Sequence, residues 1–94
     1  MEEFDRRINM IIKKMIAAKL IDRSLSIIEQ EMSRSTSDHD ATLIEIKRQL
    51  LKMKDKMSPH EYRPSYNHIL IDSWWGYDHK YDPLFKAYDV YMRL

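Results

Sequence analysis

The sequence contains no cysteine and one glycine, Gly76, and its prolines are confined to Pro59, Pro64 and Pro83. Without cysteine there are neither disulfides nor thiolate metal sites, which suits a reducing compartment. One glycine cannot build a phosphate-cradling loop. So few chain breakers also exclude an all-β fold, whose turns recur every ten residues or so. A long uninterrupted apolar run is missing too. The stretch from Ile8 to Ile21 is broken by Lys13, Lys14 and Lys19, so no stable membrane insertion is expected. The first residues, Met-Glu-Glu-Phe-Asp, are acidic where a secretory signal is basic. The expected location is cytoplasmic.

What is present points to helices. A chain of 94 residues with 44% hydrophobic and 33% charged content is too apolar for a disordered one. It has room for one domain, 1–94, with a small core. Between residues 3 and 32 there is no proline or glycine. Phe4, Ile8, Ile11, Met15, Ala18, Ile21, Leu25, Ile28 and Met32 recur there at steps of three or four, marking one face of a helix. Ile12, Ile16, Leu20 and Ile27 lie beside that face and widen it beyond a coiled-coil seam. Such a helix is about 45 Å long.

Ser33-Arg-Ser-Thr-Ser-Asp-His-Asp40 reads as a turn rich in capping residues. After it, Leu43, Ile46, Leu50, Met53 and Met57 form a heptad stripe flanked by Lys47, Lys54 and Lys56. A short polar loop between two helices favours antiparallel neighbours, so 3–57 reads as a helical hairpin. From residue 58 the composition changes. Ser58-Pro59-His60-Glu61 has the signature of a helix start that Pro64 limits to about one turn. Residues 65–75 suit a helix, although Ile69-Leu70-Ile71 alone suits a strand; no second strand candidate exists to pair with it. Asp82-Pro83 opens a last helix with Leu84, Ala87, Tyr88, Tyr91 and Leu94 on one side. The expected fold is all-α: a long antiparallel helical hairpin, with the aromatic-rich C-terminal segment 58–94 packed across it.

Function must then be sought on surfaces. Arg6, Arg7, Lys13, Lys14, Lys19 and Arg23 face one acid, Asp22, over the same stretch; Lys47, Arg48, Lys52, Lys54 and Lys56 face only Asp55. Folding the hairpin about residue 36 brings these runs to one open end, with Lys13, Lys14, Lys19, Lys52, Lys54 and Lys56 as a basic patch. Glu29, Glu31, Asp38, Asp40 and Glu45 gather at the turn end. Such a patch steers an acidic partner or grips nucleic-acid phosphates. Solvated lysines, or cover by the tail aspartates Asp72, Asp78, Asp82 and Asp89, account for it equally. A Lys-rich amphipathic first helix also suits the surface of anionic lipid, but burial of its apolar face in the hairpin accounts for the same pattern.

Nine of the ten aromatic residues lie from Tyr62 onward, densest over Trp74-Trp75-Gly76-Tyr77-Asp78-His79-Lys80-Tyr81. Adjacent tryptophans on a helix point about 100° apart, so one packs and the other, with Tyr77 and Tyr81, is available for recognition. Trp74, Trp75, Tyr77, His79 and Tyr81 are therefore the candidate partner-binding residues, with core filling as the alternative role. His39, His60, His68 and His79 make no pair with metal-ligand spacing, and neither a metal nor any other cofactor is implied. Arg63-Pro-Ser-Tyr-Asn-His68 resembles the Arg-x4-6-His element of HEPN-type ribonucleases, which implies that His68 handles a proton and Arg63 a phosphate. The same spacing also occurs at Arg34 and His39.

The function expected from these features is that of a small non-catalytic protein-interaction module: an adaptor, assembly or inhibitory and regulatory protein. The over-wide apolar face of the first helix calls for a protein partner, with a homodimer as the simplest form. Nucleic-acid binding through the basic end and HEPN-like ribonuclease activity are the alternatives.

Overall fold

The computed structural model describes residues 2–34, 40–72 and 79–94. The protein is all-helical over these residues, with no strand among them. In chain order the helices are α1 (Glu2–Arg34), α2 (Asp40–Lys56), α3 (Tyr66–Asp72) and α4 (Asp82–Met92), with a 3-10 turn at His79–Tyr81 leading into α4. Ile69-Leu70-Ile71 is helical, with Leu70 buried and Ile71 exposed, as a helix requires of neighbours about 100° apart.

α2 runs back along α1. Lys54 lies 2.6 Å from Asp22 and Lys47 lies 3.7 Å from Glu29, so residue pairs summing to 76 face each other. α4 also runs antiparallel to α1. Lys80, at its start, sits 3.3 Å from Glu31, while Val90 and Arg93, at its end, line a cleft with Lys13 and Ile16. The core lies between these three helices and α3. Ile21, Leu25 and Ile28 of α1 meet Leu43, Ile46, Leu50 and Met53 of α2, Tyr66 and Leu70 of α3, and Tyr81, Leu84, Ala87 and Tyr91 around α4. Burying each large apolar side chain stabilises the fold by about 1.5–3 kcal/mol.

Local chemistry sets the element ends. α2 stops where Met57 turns into the left-handed region at φ 48°, its N–H donating to the carbonyl of Met53 at 2.8 Å. This is a helix stop usually made by glycine, so its Cβ carries a steric penalty there. The carbonyl of Ser58 then accepts from Glu61 and Tyr62 at 3.2 and 3.0 Å, making the short turn that Pro59 favours.

The loop that follows is tied down by polar groups. The Gln49 side chain accepts from the Ser65 amide at 2.8 Å and donates to Glu45 at 3.0 Å. Glu45 also accepts from Arg48 at 2.9 Å; these hydrogen bonds, first that of Arg48 and then that of Gln49, hold its carboxyl down at about 2. Across the core, the Tyr66 hydroxyl donates to the Leu84 carbonyl at 2.6 Å, and its ring meets Tyr88 edge-on at 5.6 Å. The Tyr91 hydroxyl lies 2.7 Å from both the Ser58 and Tyr62 carbonyls.

Candidate docking face on the projecting helix

Cover on α1 begins at Ala17. From that residue toward Arg34, Ala17, Ile21, Ser24, Leu25 and Ile28 are buried. Before it, Ile8, Ile11, Ile12, Met15 and Ile16 are 38, 58, 46, 56 and 47% exposed. The register explains the boundary. α2 ends at Lys56, and pairs summing to 76 place that end beside Leu20. α4 reaches only to Lys13 and Ile16. Earlier residues of α1 therefore project about 20 Å past the packed helices.

Helical geometry accounts for the direction of the exposed face. The steps from Ile8 to Ile28 are three, four, three, three, four and three and average less than 3.6 residues, so the apolar stripe drifts around a straight helix by about 27° per step. Over the twenty residues from Ile8 to Ile28 the drift reaches about 160°. The continuous face expected for the first helix is thus two faces. Its later part is the core. Its earlier part, Ile8, Ile11, Ile12, Met15 and Ile16, spans an arc of about 140° whose centre points away from α2 and α4, with Ile16 at the edge next to α4.

The basic side chains are distributed differently from the expected patch. Lys52, Lys54 and Lys56 are engaged where they stand. Lys54 pairs with Asp22, Lys56 lies 3.8 Å from Asp55, and Lys52 sits 5.4 Å above the Tyr62 ring. Lys13, Lys14 and Lys19 are exposed and have no ion-pair partner among the described residues. Lys13 lies about 16 Å further along α1 than the residue facing Lys52, so the six lysines do not form one cluster. α1 and α2 pair with residue numbers summing to 76 rather than the 72 of a fold about residue 36, which carries the α1 bases beyond the end of α2.

Other basic groups do collect at that end. Arg93 joins Lys13 and Ile16 at one cleft, and joins His60 and Arg63 at a second, of about 480 Å³, whose floor includes Pro59 and Met92. Arg93 is also 3.3 Å from Asp89. Sequence spacing could not associate residues 13, 60, 63 and 93, because only the return of α4 along α1 makes them neighbours. Arg63 and His68 are both exposed and no hydrogen bond joins them. Arg63 faces the cleft while His68 sits in α3, its amide donating to the Ser65 carbonyl at 3.1 Å.

Of the aromatic candidates, Trp74, Trp75 and Tyr77 lie outside the described residues. His79 is solvent-facing, its side chain 98% exposed and its Nδ1 3.3 Å from Asp82. Tyr81 corrects the expectation: it is 1% exposed, part of the core rather than a recognition surface. The physical reason is its position. Tyr81, Leu84, Ala87 and Tyr91 form one inward stripe at helical steps, all buried, and that stripe is legible once Tyr81 is counted with the helix after it. The Lys80 ammonium closes over its ring at 4.9 Å.

Among the described residues no group of three His, Asp or Glu side chains is placed to hold a metal ion, and no helix is long and apolar enough to cross a membrane. No family model, curated relative or solved structure matches this chain.

Proposed function

We propose that this chain is a small non-catalytic interaction module of adaptor, assembly or regulatory type. Its scaffold is the antiparallel α1–α2 hairpin with the C-terminal helices laid across it. Its principal contact surface is the projecting N-terminal half of α1, and Trp74, Trp75, Tyr77 and His79 offer a second. The observation that carries this reading is the run of five large apolar side chains, Ile8 to Ile16, left uncovered on one face of a single helix. Contiguous exposed apolar surface of this kind marks interaction sites in soluble proteins.

The test is a photo-activatable side chain placed at residue 12 in one variant and at the polar, exposed Ser26 in another, each produced in the native host. Adducts at residue 12 and not at 26 are expected. Equal or absent labelling at both positions would contradict a docking role for the projecting segment.

A further inference from the structure

We propose that the N-terminal half of α1 docks on the surface of an anionic lipid bilayer, with Ile8, Ile11, Ile12, Met15 and Ile16 immersed and the flanking bases on the headgroup phosphates. This rests on the docking role assigned above to that segment and names its partner. The apolar arc is wide and convex. Clefts lie at its edges, beside Ile11 and beside Ile16, and the convex surface between them matches a helix lying in the plane of a membrane interface.

Charge selects the sign of the surface. On the N-terminal half of α1 the bases Arg6, Arg7, Lys13, Lys14 and Lys19 outnumber the acids Glu2, Glu3 and Asp5, and every charged residue from 6 to 21 is basic. Around the helix, Arg7 and Lys14 fall beyond the Ile11 edge of the arc and Lys13 beyond the Ile16 edge, within reach of headgroup phosphates through their long stems. Arg93, beside Lys13, adds to the same end. Glu29, Glu31 and Glu45 lie toward the other end of the hairpin, where repulsion from anionic headgroups tilts the packed helices away.

Geometry removes the steric objection. Ala17, Ile21, Leu25 and Ile28 bind the rest of the protein on nearly the opposite side of α1. A plane laid on Ile8 to Ile16 therefore leaves α2, α3 and α4 on its far side. The segment does not span the bilayer; its five bases keep it in the interface. A second copy is a poorer occupant. In parallel self-pairing along residues 6–19, Arg7, Lys14 and Lys19 each meet the same base of the partner helix, and like charges across a helix pair oppose association; antiparallel pairing about Ile12 sets one acid, Asp5, beside Lys19 and leaves the other bases without an opposite charge.

The experiment is co-sedimentation of the full chain with phosphatidylcholine vesicles, with and without phosphatidylglycerol. Binding to the anionic vesicles is expected, at least about tenfold tighter than to phosphatidylcholine alone and weakened by salt. Replacing Ile11 and Ile12 together with serine is expected to abolish it, and Lys13→Gln with Lys14→Gln to weaken it severalfold. Both variants keep the wild-type melting temperature, since none of these side chains is in the core.

Absence of binding to anionic vesicles overturns the proposal. If the chain then sediments as a dimer that the two serines dissociate, a second copy covers the face, and its docking role survives while the lipid assignment fails. If no dimer forms and residue 12 yields no adduct, both fail. Vesicle binding that survives the two serine substitutions also overturns the proposal, because bare charge attraction, as to a nucleic acid, would then suffice.

Discussion

The ammonium of Lys54 lies 2.6 Å from the carboxylate of Asp22, and this pair marks the place on α1 where cover by α2 is about to end. Two residues later α2 stops, and from there α1 has α4 beside it as far as Ile16 and Lys13. Both side chains are about half exposed, so the pair reports the register without holding it. Lys54→Ala is expected to lower stability by less than about 1 kcal/mol, seen as a small shift in the urea midpoint. A loss as large as that of a core truncation would mean that this contact sets the register.

The two halves of α1 and the helix facing the later one should respond oppositely to substitution. Leu50→Ala, at a fully buried position in α2, is expected to cost about 2–5 kcal/mol. Ile11→Ser, on the uncovered face, should change stability by no more than about 0.5 kcal/mol. Denaturant titrations of both variants check this. Equal destabilisation would show that residue 11 is covered.

Tyr91 joins the last helix to the turn after α2. Its hydroxyl has one proton to donate to the Ser58 and Tyr62 carbonyls, each 2.7 Å away. Tyr91→Phe removes that donor and leaves the ring, with an expected cost of about 1 kcal/mol. Hydrogen exchange at residues 58–62 should rise in this variant more than in α1. Unchanged stability and exchange would show that water replaces the hydroxyl without penalty.

Alkaline pH should weaken the fold. Burial pushes the Tyr66 phenol well above the ordinary range, and it does the same to a lesser degree for Tyr62, Tyr81 and Tyr91. The folded state therefore prefers the neutral phenols. Their contribution is complete below the unfolded value of about 10 and falls as the pH rises through the folded values. Phenolate absorbance should rise in step with loss of helical circular dichroism above about pH 10. Full ionisation with helicity retained would contradict the burial of these rings.

The helices themselves were legible because their signals are local. The three-and-four spacing of Leu43, Ile46, Leu50 and Met53 names residues that are all buried in α2, and Pro83 marks the first turn of α4. The fate of Ile8 and Ile11 was not legible in the same way. Their spacing is that of a core stripe, but burial depends on where α2 and α4 end in space, which no periodicity encodes. The engagement of Lys52, Lys54 and Lys56 likewise follows from register and from the nearby Tyr62 ring. Tyr81 stands in sequence with the aromatic run around Gly76, but its partners in the buried stripe, Leu84, Ala87 and Tyr91, come after it.

The central claim is that α1 is one helix with a packed half and an uncovered half, and amide hydrogen exchange on the free monomeric chain at low concentration tests it most directly. Amides of residues 21–32 should exchange slowly, with protection near that of global unfolding, and protection should step down before Ala17. Uniform slow exchange from residue 6 to residue 32 in a monomer would contradict the account.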